Sequence, residues 1–159
     1  MKGKYIVLLT VAAGFMLLTS VATAHQSATK QRVAITVKGV SDGSLSGKFV
    51  FVPLEAGVLK SDSGPEQGVV AKQRSVMRDG QSVNVATWVT TAKGKHGTFV
   101  IRARIDGVDA GTGFRVGTGA WTFVRGTGQY DGVTGGGRLA NGERASVWSE
   151  RREGFLTLP

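Results

Sequence analysis

Alternation of apolar and polar residues, repeated along most of the chain, limits the fold more than any other feature. In the clearest segment, residues 98–106, every second residue is apolar: Phe99, Ile101, Ala103 and Ile105. Successive side chains of a β-strand point to opposite faces, so this period predicts a strand with one face in a core. Arg102 and Arg104 fall on the opposite face, which we expect to be exposed.

Similar segments recur at short intervals and are separated by turn residues. Asp79-Gly80 and Asn141-Gly142 are dipeptides typical of two-residue hairpin turns. Residues 55–67 are rich in Gly, Ser and charge, which predicts a surface loop. The segments add up to eight or nine strands. We therefore predict an all-β fold, a single antiparallel up-and-down β-barrel of about eight strands, whose closure leaves no exposed sheet edge.

The first 24 residues have the composition of an export signal. Lys2 and Lys4 precede an apolar run at 5–18, and small residues follow, ending at Ala24. The run is shorter than the ~20 residues that a spanning helix needs, which favours cleavage after Ala24 over an uncleaved anchor. The sequence thus predicts a secreted or periplasmic protein that meets the membrane only during export. Its predicted parts are a signal helix at 1–24, a flexible lead-in at 25–31 and a barrel domain at 32–159.

Composition excludes some architectures and indicates one class of partner. The chain has no cysteine, so neither a disulfide framework nor lipid attachment at a cysteine is possible. Without the leader, 18 Lys and Arg stand against 11 Asp and Glu, a net charge of +7. A basic surface attracts anionic polymers. The cations form no run, however, and we predict no specific nucleic-acid site.

No catalytic, metal or cofactor motif is complete. The Gly-rich residues 111–137 lack the Lys-Ser/Thr pair and the following helix of a phosphate-binding loop. The Gly-x-Ser-x-Gly motif of hydrolases is absent. The two histidines, His25 and His96, do not amount to the three or four ligands of a metal site. We therefore predict no metal and no cofactor, and the sequence names no catalytic residue.

Large aromatic residues are the candidates for a ligand site. They either line a cavity, since pockets are mainly apolar, or fill the narrow interior of an eight-stranded barrel. The sequence leaves both interpretations open. The candidate cavity residues are Trp88, Phe99, Trp121, Phe123 and Tyr130.

Residues 119–137, GAWTFVRGTGQYDGVTGGG, resemble a motif of secreted bacterial proteins with an allene oxide cyclase-like barrel. In that group a Trp-containing strand runs into Gly-Thr-Gly-x-Tyr, a small apolar position and then Gly-x-Gly. The resemblance implies a calycin-like, eight-stranded barrel with a central apolar cavity, related in shape to plant allene oxide cyclases and dirigent proteins.

Three functions agree with these features. The leading hypothesis is that the barrel binds a small apolar or amphipathic molecule. The second is a surface module without a ligand site, which binds an anionic polymer through its basic exterior. The third follows from the resemblance: if the chain is an enzyme, it is an isomerase or cyclase whose apolar pocket restricts the conformers of its substrate. The ligand and the oligomeric state are left open.

Overall fold

The computed structural model describes residues 29–41 and 44–159. Eight antiparallel strands, each paired with the next and the last with the first, form a closed barrel. The predicted all-β, up-and-down architecture is confirmed. The strands are β1 (Lys30–Ser41), β2 (Leu45–Pro53), β3 (Asp62–Arg78), β4 (Gln81–Lys93), β5 (Thr98–Asp109), β6 (Phe114–Gly126), β7 (Thr134–Arg144) and β8 (Val147–Thr157).

The amino-terminal predictions fall mostly outside the described residues. The signal helix at 1–24, its cleavage at Ala24, and residues 25–28 with His25 all lie there. Strand β1 begins at Lys30, two residues before the predicted start of the barrel domain at 32. Gln31, predicted to belong to the lead-in, is buried and accepts a hydrogen bond from the backbone N–H of Leu59 (3.0 Å).

The two ends of the barrel are built differently. One end, called the mouth, carries the connections β1–β2, β3–β4, β5–β6 and β7–β8. The opposite end, called the base, carries the other three connections, the start of β1 and the end of β8. The β6–β7 connection at the base contains a single 3-10 turn, Gly128–Tyr130.

The alternation of the sequence sorts side chains between the lumen and the outside. The apolar set of β5, from Phe99 to Ile105, is buried in the lumen, and Arg102 and Arg104 are exposed, as predicted. Val33, Ile35 and Val37 of β1 are fully buried in the same way. A continuous apolar core therefore runs along the lumen.

The surface loop predicted at 55–67 is wrong in its second half, because β3 begins at Asp62. The first lumen-facing positions of β3 are polar or glycine, and they pair with the lumen-facing positions of β2. At Gly64 a Cβ would overlap the carbonyl oxygen of Lys93 and touch the Phe49 ring, so a larger residue does not fit there. The first part of β3 therefore lacks the alternation of apolar and polar residues that marks the other strands. Its lumen-facing residues in this part are Asp62, Gly64, Glu66 and Gly68.

The turn predicted at Asn141-Gly142 is also wrong, whereas the one at Asp79-Gly80 is confirmed. Asp79 and Gly80 have φ values of 49° and 76°, the positive angles that a type I′ turn needs. Asn141-Gly142 lies inside β7, and the turn to β8 is formed by residues 145–146 instead. There the Ser146 carbonyl accepts a hydrogen bond from the Ser41 N–H (2.8 Å), a contact from a distant hairpin that sequence patterns do not contain.

Candidate functional site

Aromatic rings fill the base of the barrel. Their centroids lie 4.7–6.3 Å apart, mostly in edge-to-face or tilted arrangements. All are buried, and Leu59 of the β2–β3 connection is buried in the same cluster. The rings belong to Phe49, Phe51, Phe99, Phe123 and Tyr130.

A buried carboxylate organises the connections at the base. Asp62 accepts hydrogen bonds from the Tyr130 hydroxyl (3.1 Å) and from the backbone N–H groups of Lys95 (2.8 Å) and His96 (3.1 Å). Burial raises the pKa of Tyr130; the hydrogen bond with Gln129 opposes this, and the nearby Asp62 charge adds to it. Tyr130 therefore stays protonated and ties the β6–β7 connection to the β4–β5 connection.

Three charged side chains meet in the middle of the lumen. Arg152 is fully buried and donates two hydrogen bonds to the Glu66 carboxylate, 2.7 and 3.0 Å long. Its Nε donates a third to Oε1 of Glu150. Burial alone would lower the pKa of Arg152, but the two carboxylates outweigh it, and the net shift is upward. The guanidinium therefore remains charged.

Glu150 is the incompletely paired member of this group, which we call the lumen triad (Glu66, Glu150 and Arg152). The side chain is fully buried, and its second oxygen, Oε2, has no hydrogen-bond partner among the described residues. Burial raises the pKa of Glu150, and Arg152 opposes the shift. With all three groups ionised the triad carries a net charge of −1. A buried carboxylate oxygen in this state is stabilised by a proton or by a hydrogen-bond donor.

On the mouth side the lumen opens into a cavity of about 420 Å³. The Trp88 ring forms part of its wall and contacts the buried Trp148 ring edge to face, with centroids 6.2 Å apart. Gly107 lines the cavity and leaves room in it, because a Cβ there would make only ordinary contacts. At Gly117 the Asn141 side chain takes up the space that a Cβ would need. The other lining residues include Ala86, Ile105 and Val108 on the apolar side and Gln73, Asn84, Arg115 and Glu143 on the polar side.

The lumen contains unused hydrogen-bond acceptors at two levels. Among the described residues, Asn84 Oδ1 and Glu150 Oε2 are the buried side-chain atoms without a partner. Asn84 lines the mouth cavity, and Glu150 pairs across β7–β8 with Asn141, another lining residue. Most buried polar atoms in proteins are hydrogen-bonded, so an orphan acceptor on the cavity wall and another on the strand neighbour of a lining residue indicate a place for a donor.

The five aromatic residues predicted to line a cavity do not converge on one pocket. Trp88 lies at the mouth. Trp121 is buried in the core, where its Nε1 donates to the Glu153 carbonyl (3.3 Å). Phe99, Phe123 and Tyr130 belong to the aromatic cluster at the base.

Sequence reasoning missed the polar residues of the lumen. Glu150 and Arg152 share the period-two pattern with the buried Trp148 and Leu156, so the alternation itself was a usable signal for them. Glu66 stood in a Gly-rich stretch without such a pattern.

A second concave site lies on the outside of the barrel, beside the irregularity of β3 between Val70 and Lys72. This outer cleft has a volume of about 470 Å³. Its three cations, Lys72, Arg74 and Arg104, form no ion pair with other described residues. The cleft is therefore a concentration of uncompensated positive charge.

Within residues 29–41 and 44–159, no three His, Cys, Asp or Glu side chains are grouped so as to hold a metal ion. The same part of the chain contains no helix with the length and apolar character to cross a membrane. Comparison with protein-family models, curated proteins and solved structures found no match to this chain.

Proposed function

We propose that this chain is an exported barrel that binds a small amphipathic molecule in the mouth of its lumen. The mouth cavity is the observation that carries the proposal. Its volume, about 420 Å³, falls within the ~300–1,000 Å³ of small-molecule sites. The export part rests on the leader at 1–24 with its cleavage pattern at Ala24.

The lining favours an amphipathic ligand over a purely apolar one. Trp88 and Ile105 offer apolar surface, and burying a ligand against such surface contributes about 25 cal/mol per Å². Asn84 Oδ1 on the same cavity has no hydrogen-bond partner within residues 29–41 and 44–159. A purely apolar ligand would leave that acceptor unsatisfied, whereas a ligand hydroxyl or amine would pair with it.

A cavity-filling substitution tests the proposal. A Cβ at Gly107 would meet only the carbonyl oxygens of Val116 (3.6 Å) and Asn84 (3.7 Å), ordinary contact distances. In Gly107→Leu the new side chain therefore enters the mouth cavity without displacing the backbone. Ala120→Leu is the matched control, because Ala120 is exposed on the outside of the neighbouring strand β6.

We expect the wild-type protein and Ala120→Leu to bind the neutral dye N-phenyl-1-naphthylamine saturably and to release it to octanol. Gly107→Leu should weaken the affinity for the dye and the affinity for octanol by about tenfold or more, because the leucine occupies the space of the ligand. Equal binding by the two variants, or no saturable binding by the wild type, would contradict the proposal.

The outer cleft favours a second candidate function, binding of an anionic polymer to the exterior. Lys72, Arg74 and Arg104 provide three cations around one concave surface, and none of them forms an ion pair within the described part of the chain. Replacing all three by Ala should reduce retention on heparin and its dependence on salt. Each contact with a phosphate or sulfate releases counterions, so fewer contacts mean a weaker dependence on salt. A control that removes the same charge elsewhere, Lys38→Ala with Lys48→Ala and Arg138→Ala, should have the smaller effect. Equal losses would indicate attraction by net charge alone.

A further inference from the structure

Charged residues are divided unequally between the two faces of the barrel. By strand register, two of the 18 described Lys and Arg face the lumen, Arg115 and Arg152, whereas five of the ten described Asp and Glu do. With every group ionised, five acids against two arginines give the lumen a net charge of −3, although the chain as a whole carries +9. The lumen therefore attracts cations that the exterior repels. Its acids are Asp62, Glu66, Asp109, Glu143 and Glu150.

Glu150 lies next to a residue of the mouth cavity in the sheet. Glu150 on β8 is the direct cross-strand partner of Asn141 on β7, and Asn141 lines the cavity. Side chains in such pairs have Cβ atoms ~4.5–5.5 Å apart. A ligand group that reaches Asn141 is therefore beside the neighbouring side chain, Glu150.

Two tryptophan rings lie near Glu150 and the mouth cavity. Trp148 precedes Glu150 by two residues on the same face of β8, and its ring contacts Trp88. Tryptophan has the strongest attraction for cations among the aromatic side chains. The indole rings thus suit both a cationic head and the apolar chain attached to it.

From these observations we propose that the ligand of the mouth cavity is an amphipathic amine whose ammonium group donates a hydrogen bond to Glu150 Oε2. The inference rests on the proposed function and specifies its ligand class. The ammonium would bring the lumen triad from a net charge of −1 to neutrality and would satisfy its orphan acceptor. A carboxylate head would add a second uncompensated negative charge to the same space.

Three ligands with the same eight-carbon chain test this proposal: octylamine, octanol and octanoate, titrated at neutral pH. We expect the wild type to bind octylamine roughly ten- to hundredfold more tightly than octanol, the range for a hydrogen bond to a charged group, and octanoate least tightly. Equal affinities for the three would contradict the preference for an amine but would still agree with ligand binding in the mouth cavity. No saturable binding of any of them would overturn the proposed function as well.

The role of Glu150 is tested with a matched pair of variants on one strand. Glu150→Gln should lower octylamine affinity to the level of octanol and leave octanol binding unchanged. Glu153→Gln removes the same charge from the exposed face of β8 and should change neither affinity. Loss of octylamine binding in both variants, or in neither, would overturn the assignment to Glu150.

A wild-type measurement keeps the test independent of the folding of Glu150→Gln. Octyltrimethylammonium carries the same charge as octylamine but has no N–H group. It should bind more weakly than octylamine by about tenfold or more if the ammonium donates to Glu150. Equal affinity for octylamine and octyltrimethylammonium would contradict the proposed hydrogen bond from the ammonium to Glu150.

Discussion

Arg152 and Glu66 form a two-pronged ion pair inside the barrel, with hydrogen bonds of 2.7 and 3.0 Å between residues 86 positions apart in the chain. The pair joins β8 to β3, which are not neighbours in the sheet. It therefore bridges the lumen from wall to wall. Glu150 adds a second carboxylate to the same guanidinium, so one arginine balances two acids.

Removing that arginine should destabilise the fold strongly. Arg152→Met leaves two buried carboxylates without a counter-charge, and breaking a buried pair in this way lowers the free energy of unfolding by about 3–5 kcal/mol. The neighbouring Arg151 is exposed and forms its ion pair with the exposed Glu153. Arg151→Met should therefore change the free energy of unfolding by less than about 1 kcal/mol. Urea denaturation measures both, and similar losses would contradict a special role for Arg152.

The stability of the barrel should depend on pH through Glu150. Burial raises the native pKa of Glu150 above its ordinary value of 4.5, so the native state holds this proton more tightly than the unfolded chain does. The resulting stabilisation is complete below the unfolded pKa and is lost as the pH rises through the native pKa. Relative to Glu150→Gln, the wild type should therefore become less stable as the pH rises above about 4.5.

The exposed Glu153 is a control, because its contribution to stability should depend on pH in the opposite direction. Its hydrogen bond and charge interaction with Arg151 lower its pKa. Stabilisation by Glu153 is therefore present above the unfolded pKa and is lost as the pH falls. Urea unfolding at several pH values measures the difference between the wild type and each variant, and slopes of the same sign would contradict this account.

The β7–β8 turn should accept a stabilising change. Ala145 and Ser146 have φ values of 48° and 66°, the left-handed region that Asn and Gly adopt more readily than Ala or Ser. Replacing Ala145-Ser146 with Asn-Gly should raise the free energy of unfolding by about 1 kcal/mol or more. Gly80→Ala in the β3–β4 turn, where φ is 76°, should lower it by a similar amount. Thermal unfolding of the two variants checks both signs.

The base of the barrel should depend more on Asp62 than on Tyr130. Tyr130→Phe removes one hydrogen bond and should lower the free energy of unfolding by about 1 kcal/mol. Asp62→Ala also leaves the N–H groups of Lys95 and His96 without an acceptor and should lower it by about 2–4 kcal/mol. Amide hydrogen exchange at Lys95 and His96 should accelerate in Asp62→Ala alone. Equal acceleration in both variants would contradict this division of roles.

The sequence predicted the barrel because most strands place apolar residues toward the lumen. In β5, Phe99 to Ile105 show this pattern, and their exposed neighbours are polar or charged. The start of β3 escaped detection because its lumen-facing positions hold Asp62, Glu66 and glycines, which read as a loop. Periodicity reveals a strand only when the side chains on its lumen-facing side are apolar.

The candidate site was harder to predict because its parts come together only when the barrel closes. The sequence predicts Trp88 as a cavity residue, but its contact partner Trp148 lies 60 residues further along the chain. The bond between Glu66 and Arg152 spans a still longer separation, and no local pattern pairs them. Asn141 looked like a turn residue because the Asn-Gly dipeptide favours turns, and its lumen position overrides that local preference.

The three tryptophans give the most direct measurement of ligand binding at the mouth, through the indole N–H resonances of a ¹⁵N-labelled protein titrated with octylamine. A ligand in the mouth cavity should shift the Trp88 resonance saturably, and with it the resonance of its contact partner Trp148. The resonance of Trp121, which is bonded within the core, should stay in place. Three unmoved indole resonances, or shifts confined to residues on the outer face, would contradict a ligand site in the mouth of the barrel.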